Sequence, residues 1–523
     1  MSETMATIKP TLPLPLPNDS ISGGSGFIFP PCVHAGLVPL FHETIVHPAI
    51  IVPSRRTAEL RQSLKHVLMD RPKMKDVYEV PPPELAAGED AKSVRKLVLK
   101  LSLGSDKDVY DDEVLQKVLG EDDGGDDASG KGTIRRSTHA IEISYNHFTV
   151  EEILRKVLPD SIAEVPSSFE VAGHLAHINL REETLPYKHI IGQTILDKNV
   201  GVSIVVNKIG TIENEFRTFP MEVLARRAAS KATSGGSAGD TYAPDLEVEV
   251  REEGCRFRLD FAKVYWNSRL QHEHRRLVEL IAGKERVAAS RQSNNKQKKK
   301  KNKGRGSISS AEGDNADGTA PAAIAGLPKV VVADIMAGVG PFSVPLTSRF
   351  QGITCHANDL NPVSFRYLKE NAKLNKCSDK SMMMYNMDGR AFVHHLDDQG
   401  IWFDHATMNL PASAPEFLDA FRGFKGFRDD GKQRPTIHVH CFGGKDDEAN
   451  DEAIARCGRA LGCTLDKVGD AVSVHIVRDV SPKKNMLCVS FLLPTAVKSL
   501  DRIDLTAGTK SPEEPAEKRA RLD

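Results

Sequence analysis

Apolar and polar positions along this chain follow two rhythms, and the change between them divides it. In the C-terminal half, short apolar runs alternate with stretches of helical period. The run Val330 to Asp334 is apolar up to its closing carboxylate, as in a strand covered on both faces. It opens through Gly338 and Gly340 into a helix expected to begin at Pro341. Further strands are expected over Gly352 to Leu360, Met382 to Met387, Phe403 to Met408 and Thr436 to Phe442. Asn361 caps and Pro362 opens a helix from Val363 to Asn375, with Phe365, Leu368, Ala372 and Leu374 on its apolar side. Asp470 to Leu493 reads as two strands joined through Ser481 to Asn485, an antiparallel hairpin. Strands alternating with helices predict an α/β fold, a doubly wound Rossmann-like sheet ending in that hairpin.

The front half has a different texture. Ala140 to Ser144, Gly201 to Val206 and Leu246 to Arg251 are strand-like, the last with the alternation of a half-buried antiparallel strand. Thr149 and Glu152 form a capping box opening a helix to Leu158. Residues 136–283 are therefore expected to form an α+β module. Residues 1–135 carry a proline-rich leader, a helix expected over Arg55 to Met69 and an acidic, glycine-rich loop from Glu121 to Asp127, the pattern of a small accessory domain. Ser230 to Gly239 and residues 284–326, which include Lys298 to Lys301, read as linkers without fixed structure. Residues 327–500 then hold the wound sheet, and 501–523 a disordered tail.

The chemistry gathers at the carboxyl ends of the parallel strands, where an open α/β sheet binds ligand. Gly338 and Gly340 remove side chains that would keep the backbone from a ligand. A dinucleotide fingerprint places a third glycine at position 343, and Ser343 stands there. A cofactor without pyrophosphate, S-adenosylmethionine, fits better. Asp359 follows Asp334 at the interval where an acidic residue meets ribose hydroxyls, and Asp388 with Gly389 reaches the same edge. Either aspartate alone is better read as a helix cap. The fourth strand ends in Asn409-Leu410-Pro411-Ala412, a turn placed where a methyl donor would point. Ala412 supplies no ring to stack on a target base, which suits a ring nitrogen better than an exocyclic amine. The peptide Asp260 to Arg276 adds the aromatic pair Tyr265 and Trp266, a carboxylate and many cations, although Glu273 one turn past Arg269 also describes a surface ion pair.

Composition narrows the picture. With 523 residues, 40% hydrophobic and 27% charged, the chain suggests about three soluble domains. A net charge of −1 leaves nucleic-acid binding to local basic surface. Eight cysteines without a CxxC pair indicate neither a zinc site nor a disulfide framework, so no metal is expected. No apolar run is long enough to span a bilayer, and no ordinary transit peptide is visible.

These motifs together resemble the eukaryotic and archaeal tRNA (guanine37-N1)-methyltransferases, members of the class I S-adenosylmethionine-dependent methyltransferases. The resemblance runs in order through Phe169 to Asn179, Phe216 to Leu224, Val264 to Arg276, Asp334 to Phe342 and Asn409 to Pro411, roughly residues 136 to 495. Two departures stand out: Ser268 replaces the family's proline, and the Lys-rich insert lengthens the connection into the cofactor domain.

The resemblance implies methyl transfer from S-adenosylmethionine to N1 of guanosine 37, on the 3′ side of the anticodon of tRNA. It implies Glu273 as general base, Arg217 steadying charge on O6, Tyr265 stacking on the base, and Asn409 with Pro411 framing base and methyl donor. Asp359 would take the ribose and Asp388 the adenine amine. Gly338 and Gly340 would approach the methionine part, His274 an edge of the pocket, and Asp334, Leu360 and Gly389 its remaining wall. His177 and Asn179 are read as packing residues. The resemblance further implies a monomer with no membrane attachment, acting in cytoplasm and nucleus and, in some members, the mitochondrial matrix. Two other readings are transfer of the aminocarboxypropyl arm of the same cofactor to a modified guanosine, and a tRNA-binding protein with a decayed site.

Overall fold

The computed structural model describes residues 41–71, 73–101, 108–120, 134–209, 216, 218, 220–227, 246–292, 327–427 and 433–505. The leader, the acidic loop, the insert at 230–239, residues 293–326, the tail from 506 and Arg217 lie outside these described residues. By contacts the chain divides into two units, Met1–Lys208 with Met221–Pro244, and Ile209–Pro220 with Asp245–Asp523.

The first unit opens with β1 (Glu43–Pro53), α1 (Thr57–Ser63), β2 (Val77–Tyr78), β3 (Val94–Val98), α2 (Glu113–Gly120) and β4 (Arg135–Ile143). Its strands form a sheet in the order β2-β3-β1-β4, over a core that includes Ile50, Leu60, Leu97 and Leu115. The helix expected to reach Met69 ends at Ser63. Beyond it, Met69 N–H bonds Val98 O and Lys100 N–H bonds Val67 O, each at 2.9 Å, links to a strand end that a continuing helix would forgo. The boundary expected at 136 falls inside β4. That strand pairs along β1 from Glu43↔Ile143 to Ile51↔Arg135, so Ala140 to Ile143 belong to the N-terminal sheet and not to the α+β module.

The module itself begins with α3 (Val150–Val157), held by the expected capping box: Glu152 N–H donates to Thr149 Oγ1 at 3.2 Å, and Thr149 N–H to Glu152 Oε2 at 2.7 Å. Then follow β5 (Glu170–Ala172), β6 (Leu175–Ile178), α4 (Lys188–Lys198), β7 (Ile204–Lys208) and β8 (Met221–Arg226), a sheet in sequential order. β6 and β7 are parallel, with α4 as the crossover between them.

The second unit holds the hairpin β9 (Glu247–Glu252) and β10 (Cys255–Asp260), followed by α5 (Gln271–Ala282). The wound sheet is built from β11 (Val330–Asp334), α6 (Ser343–Arg349), β12 (Ile353–Asn358), α7 (Pro362–Leu374), β13 (Met382–Tyr385), α8 (Gly389–Asp398), β14 (His405–Met408), β15 (Thr436–Gly443), α9 (Asp447–Leu461), β16 (Ser473–Ser481) and β17 (Lys484–Leu492). The strand order is β13-β12-β11-β14-β15-β17-β16, with β17 antiparallel to both neighbours. The order reverses between β11 and β14, which opens a crevice at their carboxyl ends. Among the described residues no helix is long and apolar enough to cross a membrane.

Two expectations change here. Residues 246–283, grouped by sequence with the α+β module, fold with the wound sheet. Side chains of α7 do the pairing that a neighbouring strand would do for β10. Arg258 N–H donates to Asn371 Oδ1 at 2.7 Å and Arg256 N–H to Asn375 Oδ1 at 2.9 Å, while the two amides return bonds to the carbonyls of Arg258 and Arg256 at 3.1 and 2.7 Å. Residues 284–292, read as linker, are helical. Arg286 is buried and donates to the carbonyls of Gln351, Ala282 and Pro328, which anchors this stretch to the edge of the sheet.

Candidate cofactor and catalytic site

The turn after β11 carries the first half of the site. Gly338 and Gly340 adopt φ of 56° and 97°, the left-handed region that side chains resist. At Gly338 an added Cβ would meet nothing within 4 Å, whereas at Gly340 it would lie 2.7 Å from Val344 and 2.8 Å from Leu368. Gly338 is thus a bare backbone approach, and Gly340 a packing necessity. Val344 N–H bonds Gly340 O at 3.0 Å, so Pro341 lies in a preliminary turn and the regular helix begins at Ser343, two residues later than expected.

Asp359, just past β12, holds this turn in place. Its Oδ2 accepts from Gly338 N–H at 2.8 Å and its Oδ1 from Asn361 N–H at 3.0 Å. Burial raises its pKa to about 6, against the opposing pull of those two amides. Asn358 joins neighbouring strand ends, donating to Ile335 O and Met387 O and accepting from Met387 N–H. Asp388 caps α8, its Oδ1 accepting from Arg390 and Ala391, and still faces the crevice.

These elements enclose a cavity of about 480 Å³, within the usual range of roughly 300–1,000 Å³ for small-molecule sites. Of the residues singled out by sequence, Tyr265, His274, Gly338, Asp359, Leu360, Asp388, Gly389, Asn409 and Pro411 line it. Asp334, Gly340 and Glu273 are not on its wall. Asp334 is fully buried behind it and accepts from Thr407 Oγ1 at 2.8 Å; burial raises its pKa to about 6. Its role is to brace β11 against β14.

Several lining residues were not anticipated. Phe216 is an aromatic ring about two-fifths exposed on the cavity wall, like the expected Tyr265. Phe417 packs against Gly389, where an added Cβ would come within 3.2 Å of the ring, and Arg390 covers it at 4.2 Å. Nothing in the local pattern around residue 417 marks it, because its role depends on α8 arriving beside it. Asn409 Oδ1 is buried and finds no hydrogen-bond partner among the described residues, an acceptor held ready at the end of β14. A purine nucleoside with hydroxyls for Asp359 and an amine for Asp388 fits this donor and acceptor set.

Glu273 sits on α5 beside His274 but is 3% exposed and lies in an ion-pair cluster. Arg276 forks over it, Nε to Oε2 at 2.6 Å and Nη2 to Oε1 at 2.8 Å, and His440 Nε2 meets Oε1 at 2.8 Å. Burial alone would raise the pKa of Glu273; the bonds from Arg276 and His440 overcome it and hold the carboxyl well below its usual range. Burial alone would likewise lower His440, yet Cys488 and Glu273 raise it. Glu273, His440 and Cys488 lie near enough to share an ion. Arg276 already places a positive charge across both carboxylate oxygens, so the cluster is an ion-pair network. A second cavity of about 520 Å³, lined by Arg286, Arg349 and Lys376, opens near the amino ends of β12 and β13, away from the strand ends that carry the chemistry.

Known proteins place this geometry. The family described as the TRM5/TYW2 methyltransferase domain matches residues 320–461, and the TYW2 N-terminal domain matches residues 150–225. A crystal structure of Trm5b from Pyrococcus abyssi is 21% identical, covers 85% of this chain and 99% of its own, and superposes with a TM-score of 0.51, a likeness of fold. The tRNA (guanine(37)-N(1))-methyltransferase of Homo sapiens is 32% identical over 92% of this chain and 79% of its own length. The tRNA (guanine(37)-N(1))-methyltransferase 1 of Phaeodactylum tricornutum is 44% identical over 479 residues, 90% of this chain and 91% of its own. With a doubly wound sheet, a glycine turn tied to Asp359 and relatives matching nearly its whole length, the chain belongs to the tRNA (guanine(37)-N(1))-methyltransferase family.

Proposed function

We propose that this chain transfers the methyl group of S-adenosylmethionine to N1 of guanosine 37 in tRNA. The observation that carries this is the cavity itself, where Gly338, Asp359, Asp388 and Asn409 converge beside exposed aromatic rings. Asp359 would accept from ribose hydroxyls with the lone pairs its two backbone amides leave free, and Asp388 from the adenine amine. When bound, the cofactor supplies an electrophilic methyl carbon whose bonding electrons pass to its sulfur.

N1 of guanine carries a proton, so methylation there needs an acceptor for it. Glu273 is the assigned base. It is ionised and shielded from water, and it sits on the helix that also brings His274 to the cavity. Reaching N1 requires its carboxylate to exchange part of its grip on Arg276 or His440. Tyr265, on the cavity wall, stacks on the guanine, and the unpartnered Asn409 Oδ1 accepts from its edge. Arg217 is assigned to O6 on family grounds.

Unmodified tRNA transcripts with guanosine or adenosine at position 37, incubated with labelled cofactor and digested to nucleosides, test reaction and position together. 1-Methylguanosine from the first transcript alone is the expected product. A product mass carrying an aminocarboxypropyl group, or label on both transcripts, would overturn the assignment.

A further inference from the structure

The mechanism above leaves a fully buried histidine unexplained. His440 lies on β15 and has no solvent exposure, yet it meets Glu273 on α5 at 2.8 Å. Arg276 is three residues from Glu273 on the same helix and would hold that carboxylate wherever the helix went. His440 differs because it comes from the strand beside β14, whose end carries Asn409. It therefore ties the helix bearing the base to the part of the sheet that frames the target. Its ring stacks on Phe342 with centroids 6.0 Å apart, and Phe342 is on the cavity wall in a T-shaped contact with His274. Glu273 and the cavity are thus joined through one packed column of rings.

The neighbouring charges single out this residue. Glu273 is faced by Arg276 on its own helix, by His440 and His438 from β15, by His475 of β16 with Nε2 at 3.8 Å, and by Cys488 of β17. His438 and His440 lie two apart on one strand, hence on one side of the sheet. Burial drives His438 toward its neutral form, and it bonds His405 and Ser490 instead. His440 is raised, against burial, by Cys488 and by the Glu273 carboxylate it meets.

We propose that His440 is the positioning residue of the base, its Nε2–H holding one oxygen of Glu273 against the fork of Arg276 so that the carboxylate stays ionised and aimed beside the cavity. The proposal rests on the reading of Glu273 as base and assigns no bond-making to His440 itself.

The test is single-turnover methyl transfer by the full chain to an unmodified guanosine-37 transcript between about pH 3 and 8 at saturating cofactor, a window that reaches the acid limb of Glu273, with cofactor binding followed by calorimetry. The variants are His440→Ala, His440→Gln and Glu273→Gln. Removing a cation next to a carboxylate raises its pKa by about one to three units. His440→Ala is expected to bind cofactor as the parent does, to turn over roughly tenfold slower at pH 7, and to lose rate on the acid side at a pH about one to three units higher. His440→Gln keeps an N–H donor without the charge. It is expected to recover most of the rate at pH 7 while keeping the moved acid limb. If His440→Ala binds cofactor and matches the parent in rate and pH profile, the proposal is overturned. Should the alanine variant fail to bind cofactor, the glutamine variant decides: a moved acid limb supports the proposal, and a parental one ends it. Parental turnover by Glu273→Gln would instead remove the base assignment, a separate failure.

Discussion

Asp359 accepts the amide of Gly338 at 2.8 Å, so the carboxylate that closes β12 also sets the glycine turn that follows β11. One side chain shapes the turn and presents its remaining lone pairs to the cavity. Asp359→Asn is expected to weaken S-adenosylmethionine binding by roughly ten- to a hundredfold, the worth of a hydrogen bond to a charged group. Calorimetry checks it, and unchanged affinity would remove Asp359 from the ribose.

The same residue predicts a pH dependence. Its pKa is raised to about 6 in the fold, so its proton is bound more tightly there than in the unfolded chain. Protonation removes the charge that favours donated hydroxyls. Cofactor affinity should therefore be level above about pH 7 and decline as pH falls through about 6, and the decline should be absent in Asp359→Asn.

Gly340→Ala tests packing and backbone at once. Its Cβ would overlap Val344 and Leu368 at 2.7 and 2.8 Å, at a φ of 97°. A loss of about 1–3 kcal/mol is expected from urea unfolding. Gly338→Ala meets open space at a φ of 56°, so its loss should be smaller and its effect on cofactor binding larger.

Asn371 has no exposed surface and bonds Arg258 N–H, Arg258 O and Val339 O. Asn371→Ala leaves those backbone groups without partners, and each buried group so stranded costs about 1–3 kcal/mol. Loosened attachment of β10 should appear as faster amide exchange over residues 255–260. Protection equal to the parent there would show that the hairpin does not depend on this side chain.

The ion-pair cluster has its own stability window. Glu273 is depressed, so its contribution is present above about pH 4.5 and lost as pH falls through about 2. His440 is raised, so its contribution is complete below about pH 6.5 and lost as pH rises through about 10. Unfolding measured across alkaline pH should show a decline in the parent that His440→Gln lacks.

Elements whose signals are local were legible in the order of residues alone. The buried run ending at Asp334, the two glycines, the Asn361 cap with Pro362 and the Thr149 capping box each act through bonds within a few residues, and all reappear in the fold. The cavity-lining carboxylates Asp359 and Asp388 were legible for the same reason, since strand ends in a wound sheet share one edge.

The partners of those residues were set by contacts between distant segments. That β4 pairs with β1, that residues 246–283 join the wound sheet, that Phe417 reaches Gly389 and that Glu273 is held by His440 all depend on segments far apart in sequence. Periodicity reports which face of an element is buried but not which other element covers it. For the same reason the sequence could point to Glu273 through its resemblance to a family, while the distances that ionise and orient it exist only once α5 and β15 have met.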